Sequence, residues 1–271
     1  MRSVHKAVIF AAGLGTRMRR EDAGAALDPA QAAAAESGLK AMIPVGRPFL
    51  DYVLSALADA GIRDVCLVVG PGGNAIRDHY AAAPPERVRV VFALQPEPLG
   101  TASALLAAEE FAGSDDFIAL NSDNYYPVPA IRALVGLGEP GLPVFEREVL
   151  LEKSNFPRER VDRYAVLAVD AKGYLLGVVE KPDAAALAAA GGGVLLSMNL
   201  WRFSPSIFEA CRRVARSGRG EFELPQAVAL AIAEMGLRFR AVPCDEGVLD
   251  LSTRGDIAAV AQRLRGIEAC P

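Results

Sequence analysis

Two points in this chain carry residues suited to chemistry. The first is the run Ala11-Ala12-Gly13-Leu14-Gly15-Thr16-Arg17, which directly follows the apolar segment Val4–Phe10. Glycines at such a turn leave backbone amides open to close approach by a phosphate chain, and Arg17 adds a fixed positive charge. Strand-to-helix turns are also glycine-rich for steric reasons, so the run alone does not decide between the two readings. It matches neither familiar nucleotide fingerprint. A GxGxxG pattern needs a third glycine where Met18 stands, and a P-loop needs a Gly-Lys-Ser/Thr ending that is absent. The second point is Asp123, which follows the apolar run Phe117–Leu120. It therefore leaves the carboxyl end of a strand, where open α/β sheets place their ligands, although an aspartate there also serves as a turn former.

Other reactive side chains offer less. His5 precedes the first apolar run and His79 lies in a helical, alanine-rich stretch, so both read as surface or packing residues. Cys66, Cys211, Cys244 and Cys270 are far apart, without CxxC spacing or nearby histidines, which argues against a metal cluster or a disulfide framework. The formal charge of −4 is spread over interspersed signs, with no basic stripe. Small ligands are expected, not nucleic acid. Apolar stretches are interrupted well before the roughly 18 residues that span a bilayer, so no membrane segment is expected. Met1–Lys6 leads into the first run without the apolar core of a signal peptide, which points to the cytoplasm.

The elements that must position these residues follow from periodicity. Short β-rich runs at Val4–Phe10, Val65–Val69, Val88–Leu94 and Phe117–Leu120 alternate with helical patterns at 49–60, 73–80 and 101–112. Such alternation predicts an α/β fold with a parallel sheet covered on both faces. Leu50, Val53, Leu54 and Leu57 form one apolar stripe of a helix closing at Gly61. After Pro143 come strand-like runs at Tyr164–Val169, Tyr174–Val179, Val194–Phe203 and Leu237–Val242, with helices near 205–216 and 224–235. This half reads as a sheet extension facing the first. Residues 19–38 form an alanine-rich insertion in which Asp28-Pro29 starts a helix and Gly38 ends it; a lid and a surface excursion are both compatible with it. The tract Ala184–Gly193 reads as a short helix and a glycine loop. A single domain over 1–271 is expected.

Seven motifs in one order extend this reading. They are Gly13–Met18 with Lys40–Val45, Asp51–Leu54 with Ala60–Val65, Gln95–Ala102, Asn121–Asn124, Val179–Pro182, Ser197–Trp201 and Val248–Leu251. Together they cover nearly the whole chain, which resembles the sugar-1-phosphate nucleotidylyltransferases, of the glucose-1-phosphate thymidylyl- or uridylyltransferase type. The resemblance implies a Rossmann-like three-layer sandwich with a mixed, mostly parallel sheet, about 1–140 being the nucleotide-binding half and 141–271 the sugar-binding half. It implies transfer of a nucleotidyl group from an NTP to a sugar 1-phosphate with release of pyrophosphate. Leu99-Gly100-Thr101 resembles pyrimidine-using members, which favours UTP or dTTP.

Residue by residue, the resemblance gives Ala11, Ala12, Gly13, Gly15, Thr16, Gln95, Gly100 and Thr101 to the nucleotide. Gln95 would read the base edge and the Gly100 backbone would approach the base. Lys40 would meet the nucleotide phosphates and Arg17 would balance the departing pyrophosphate. Glu180 and Lys181 would divide the sugar phosphate between them, with Tyr164 and Asn199 at the sugar. Glu221 and Glu223 also resemble family positions near the sugar. Mg²⁺ takes oxygen ligands from one or two carboxylates plus substrate phosphates, and Asp123 and Asp250 are its candidates. A cap for the helix near Thr253 is the competing role for Asp250. The attacking phosphate has a second pKa of about 6 and is already ionised, so the lack of a catalytic histidine is no objection.

Three departures mark this chain. The spacing from Arg17 to Lys40 is longer than usual, Ala165 replaces a common glycine, and Ser197-Met198-Asn199 replaces a usual Thr-Gly or Ala-Gly. The last two fall on the acceptor side. Transfer to a non-sugar phosphate or phosphonate, and a nucleotide-sugar sensor without turnover, therefore stand as alternatives. Assembly into a homo-oligomer is left open by the sequence.

Overall fold

A computed structural model of the protein describes residues 4–179 and 193–271. Strands β1 (Lys6–Phe10), β2 (Asp64–Val69), β3 (Arg89–Leu94) and β4 (Phe117–Asn121) pair in parallel in the order β3-β2-β1-β4. Parallel neighbours require crossovers, supplied here by helices Phe49–Asp59, Asn74–Ala82 and Thr101–Ala107. Side chains alternate across the sheet. Ala7, Ile9, Leu67 and Leu120 enter one core with helices Phe49–Asp59, Val128–Gly136 and Asp256–Leu264. Val8, Phe10, Val68 and Ala119 enter a second core with Thr101–Ala107, Ile207–Arg213 and Leu224–Met235. Two covered faces make three layers, and they explain why these strands read as continuous apolar runs.

Except for two short strands that pair with each other, the later strands extend the same sheet edge to edge, where the sequence suggests an extension facing the first half. Two-residue β5 (Asn124–Tyr125) follows β4, then β6 (Gly141–Glu146), β7 (Val166–Val169), β8 (Leu175–Val179), β9 (Leu195–Leu196), β10 (Trp201–Phe203), β11 (Arg240–Cys244) and β12 (Leu249–Asp250). Antiparallel β10 joins β4 to β6, and β9, β7 and β8 continue beyond β6 while β11 lies parallel to it. Strands β3, β2, β1, β4, β6, β11 and β7 thus run one way and β10, β9 and β8 the other: a mixed, mostly parallel sheet.

The expected strand Val194–Phe203 is broken in two because Asn199 takes a left-handed conformation, φ 57°, and accepts a 2.8 Å hydrogen bond from Trp201 Nε1. The helix expected at 101–112 divides at Ala108, and the strand expected from Leu237 begins at Arg240. Nearly all of the tract 184–193 lies outside the described residues. Among those described, no helix is long and apolar enough to cross a membrane.

The insertion forms the helix Pro29–Ser37. Asp28 Oδ1 accepts from Gln31 N at 2.8 Å while Gln31 Oε1 accepts from Asp28 N at 3.2 Å, a capping box, and Gly38 ends the helix at φ 75°. Its end returns to the glycine turn, where Arg19 donates to the Ser37 carbonyl at 2.8 Å.

Candidate active site

The order β3-β2-β1-β4 reverses direction of growth between β1 and β4, so a crevice opens beyond the carboxyl ends of those two strands. The turn after β1 is pinned by Ala11 N donating to Val68 O at 2.8 Å and by fully buried Met18. That burial is why a methionine stands at the third position of the near-fingerprint. Gly15 sits at φ 61° with the Gly38 backbone against it, so a Cβ at either residue would collide. The insertion thereby abuts the turn and delivers Lys40 on the short 3₁₀ turn Lys40–Met42.

Lys40 Nζ pairs with Asp123 Oδ2 at 2.8 Å, both side chains being partly buried. Asp123 is brought to Asp250 by a small antiparallel ribbon in which β5 pairs with β12, Asn124 opposite Asp250, and Leu251 N donates to Asp123 O at 2.8 Å. Asp250 Oδ1 accepts from Asn124 Nδ2 at 3.2 Å and Ser252 Oγ at 3.1 Å, and its Oδ2 accepts from Arg160 at 2.9 Å. Burial, and next the charge of Asp123, push the Asp250 carboxyl up to about 6 against the pull of Ser252, Lys40 and Arg160. Two carboxylates that repel across a shared hollow are a hard-oxygen donor pair, and a divalent cation would relieve that repulsion. The residues fit such an ion. Among the described residues no group of three or more His, Cys, Asp or Glu comes together, so these two carboxylates are the acids that would hold the ion.

Two hollows meet at Asp123. A cleft of about 450 Å³ is lined by Ala11, Ala12, Gly13, Gly15, Thr16, Lys40, Gln95, Gly100, Thr101 and Asp123. A second hollow of about 280 Å³ is lined by Arg17, Asp123, Asp250, Tyr164 and Asn199, with Thr101 shared. Arg17 therefore borders the second hollow, on the side of Asp250. Glu221 lines the first, and Glu223 lines the second while pairing with Arg219 at 2.8 Å. Glu180 and Lys181 lie outside the described residues.

Several side chains are already engaged. Gln95 is buried and its Nε2 donates to Gly100 O at 2.9 Å, which fixes the amide's orientation. Gly100, at φ 100°, lines the larger cleft and also packs against Phe222, whose carbonyl oxygen would lie 2.5 Å from a Cβ. Asn199 donates to Asn121 Oδ1 at 2.8 Å as well as accepting from Trp201. Tyr164 packs edge-on against Phe156, and burial followed by the Asp250 charge holds its phenol well above its ordinary value. His79 stands 3.8 Å from Asp51, away from the residues lining both hollows.

Sequence reasoning missed Arg160, Arg163 and Arg219, which also line the second hollow. Arg158-Glu159-Arg160 reads as a solvated charge run, and nothing in its spacing signals that it reaches Asp250.

A family model described as nucleotidyl transferase matches residues 34–251. A glucose-1-phosphate thymidylyltransferase of Streptomyces griseus is 31% identical over 229 residues, covering 82% of this chain and 56% of that protein. The chain thus spans about half of that relative's length. A UTP–glucose-1-phosphate uridylyltransferase of Haloferax volcanii is 30% identical over 261 residues, covering 96% of each. Among solved structures, a UDP-glucose pyrophosphorylase complexed with UDP-glucose shares the fold, with a TM-score of 0.74 at 17% identity over 98% of this chain and 100% of that one.

Proposed function

Because this chain belongs to the nucleotidyl transferase family, we propose that it joins UTP or dTTP to a sugar 1-phosphate, giving a nucleotide sugar and pyrophosphate. The observation that carries the proposal is the ribbon that brings Asp123, which lines the cleft bordered by the glycine turn, together with Asp250 in the adjoining hollow.

In this reaction an oxygen of the acceptor phosphate attacks the α-phosphorus, the bond to the bridging β-phosphate oxygen breaks, and pyrophosphate leaves. The acceptor is already an anion at neutral pH, its second pKa being about 6, so no base is required of the protein. Its task is positioning and charge neutralisation. The turn Ala12–Thr16 would present backbone amides to the triphosphate in the larger cleft, which Lys40 also lines. The Gln95 carbonyl oxygen, oriented by the bond to Gly100, suits the N3–H of uracil or thymine, which cytosine lacks. Arg17, Tyr164 and Asn199 border the acceptor's hollow, and the resemblance gives the sugar hydroxyls and phosphate to Glu180 and Lys181, which lie outside the described residues. Asp123 and Asp250 would hold Mg²⁺, which would supply concentrated positive charge beside the phosphates.

The test is pyrophosphate release from each of five NTPs against sugar 1-phosphates, alcohol phosphates and a phosphonate, with Mg²⁺. Glucose 1-phosphate, named in both relatives above, is the first acceptor to try. The proposal requires turnover with UTP or dTTP and a sugar 1-phosphate. Turnover confined to a non-sugar acceptor would replace the acceptor class, and tight nucleotide-sugar binding without any turnover would replace the enzyme with a sensor.

A further inference from the structure

The Asp250 carboxylate is held from three directions, and counting its lone pairs shows what remains. Asn124 and Ser252 occupy both lone pairs of Oδ1, whereas Oδ2 receives one bond, from Arg160. One Oδ2 position is left without a partner among the described residues, on a side chain that lines the same hollow as Asp123.

Arg160 is itself anchored. Its guanidinium contacts Asp256 through both terminal nitrogens, at 3.0 Å to Oδ1 and 3.1 Å to Oδ2. Asp256 Oδ2 in turn accepts from Ser252 N, Thr253 N and Thr253 Oγ1 at 3.1, 2.7 and 2.9 Å. The side chains of Arg160, Asp256 and Asp250 are 18%, 7% and 7% exposed, so this chain of charges runs through a nearly dry interior. The same segment grips the β12 backbone. Asn155 exchanges two 2.8 Å hydrogen bonds with the amide and carbonyl of Asp250, and Ser154 Oγ accepts from Val248 N at 3.0 Å. A planar fork can span two carboxylates in this way, whereas an ammonium on a flexible stem can satisfy both only loosely.

We propose that Arg160 is a positioning residue for the cation of this reaction: anchored by Asp256, it holds Asp250 so that a single Oδ2 lone pair is offered beside Asp123. The inference rests on the reading of Asp250 as a cation ligand. Outer partners of this kind matter through the ligand they orient, and losing one weakens metal affinity or activity by about 10- to 100-fold.

The experiment is a Mn²⁺ titration of the full chain without nucleotide, read by the electron paramagnetic resonance of free Mn²⁺, with melting temperature measured on each variant. Arg160→Met, folded, should bind Mn²⁺ about 10- to 100-fold more weakly. Arg160→Lys, which keeps the charge and one bond, should recover part of the loss. Should Arg160→Met fail to fold, Arg160→Lys carries the test, and it must bind Mn²⁺ more weakly than the native chain. A folded Arg160→Met, or failing that Arg160→Lys, with native Mn²⁺ affinity overturns the proposal, as does a native chain that binds no Mn²⁺. Mn²⁺ binding that depends on Arg160 in a protein without turnover on any substrate pair would count against the proposed reaction and leave this inference standing.

Discussion

At the scale of single residues, this site is distinguished by how its acids are held. Asp123 has Lys40, and Asp250 has Asn124, Ser252 and Arg160. Asp123→Asn removes one of two facing charges while keeping the shape, so the fold should hold and kcat for pyrophosphate release should fall by about 10²- to 10³-fold. Undiminished turnover in that variant would take Asp123 out of the mechanism. Asn155→Ala leaves the Asp250 amide without its side-chain partner. A loss of roughly 1–3 kcal/mol in urea unfolding is expected, since an orphaned buried donor carries its full desolvation cost. Of these residues Asp123 was legible in the sequence as a carboxylate at a strand end. Asp250 was suggested by resemblance alone, and Arg160 was invisible because its partner lies 90 residues away.

At the scale of elements, the strands and helices around β1 and β4 were legible because apolar runs alternate with helical stripes, and both are local signals. What the pattern could not show is pairing between short pieces. Strands β5 and β12 are two residues each, too brief for any periodicity, yet their ladder is what brings the acids together. The break at Asn199 was hidden likewise, because an Asn inside an apolar run gives no sign of taking a left-handed turn. Gly100 makes the same point for a loop. Its role beside the Phe222 backbone depends on Leu99 O accepting from Phe222 N at 2.7 Å, a contact between segments far apart in sequence. Gly100→Ala combines that collision with a positive φ and should cost roughly 1–3 kcal/mol, read as a lowered urea midpoint with unchanged slope. Native stability in this variant would show that the Phe222 loop yields easily.

At the scale of the whole molecule, one continuous sheet carries the larger cleft at its parallel end, while the second hollow is closed in part by segments from the later half. The insertion 19–38 contributes no strand to that sheet, but its end abuts Gly15 and leads into Lys40. Replacing residues 20–37 by a short glycine linker should preserve the far-ultraviolet circular dichroism while raising the NTP KM by about tenfold or more, because small displacements of positioning groups are costly. An unchanged KM would make the insertion a surface excursion. The account as a whole rests on two carboxylates sharing one divalent ion beside the triphosphate. Its most direct test is an anomalous difference map from crystals grown with Mn²⁺ and a non-hydrolysable UTP or dTTP analogue. A peak between Asp123 and Asp250, where the two hollows join, is expected; a peak elsewhere, or none there with nucleotide bound, would mean that these carboxylates do not share the ion.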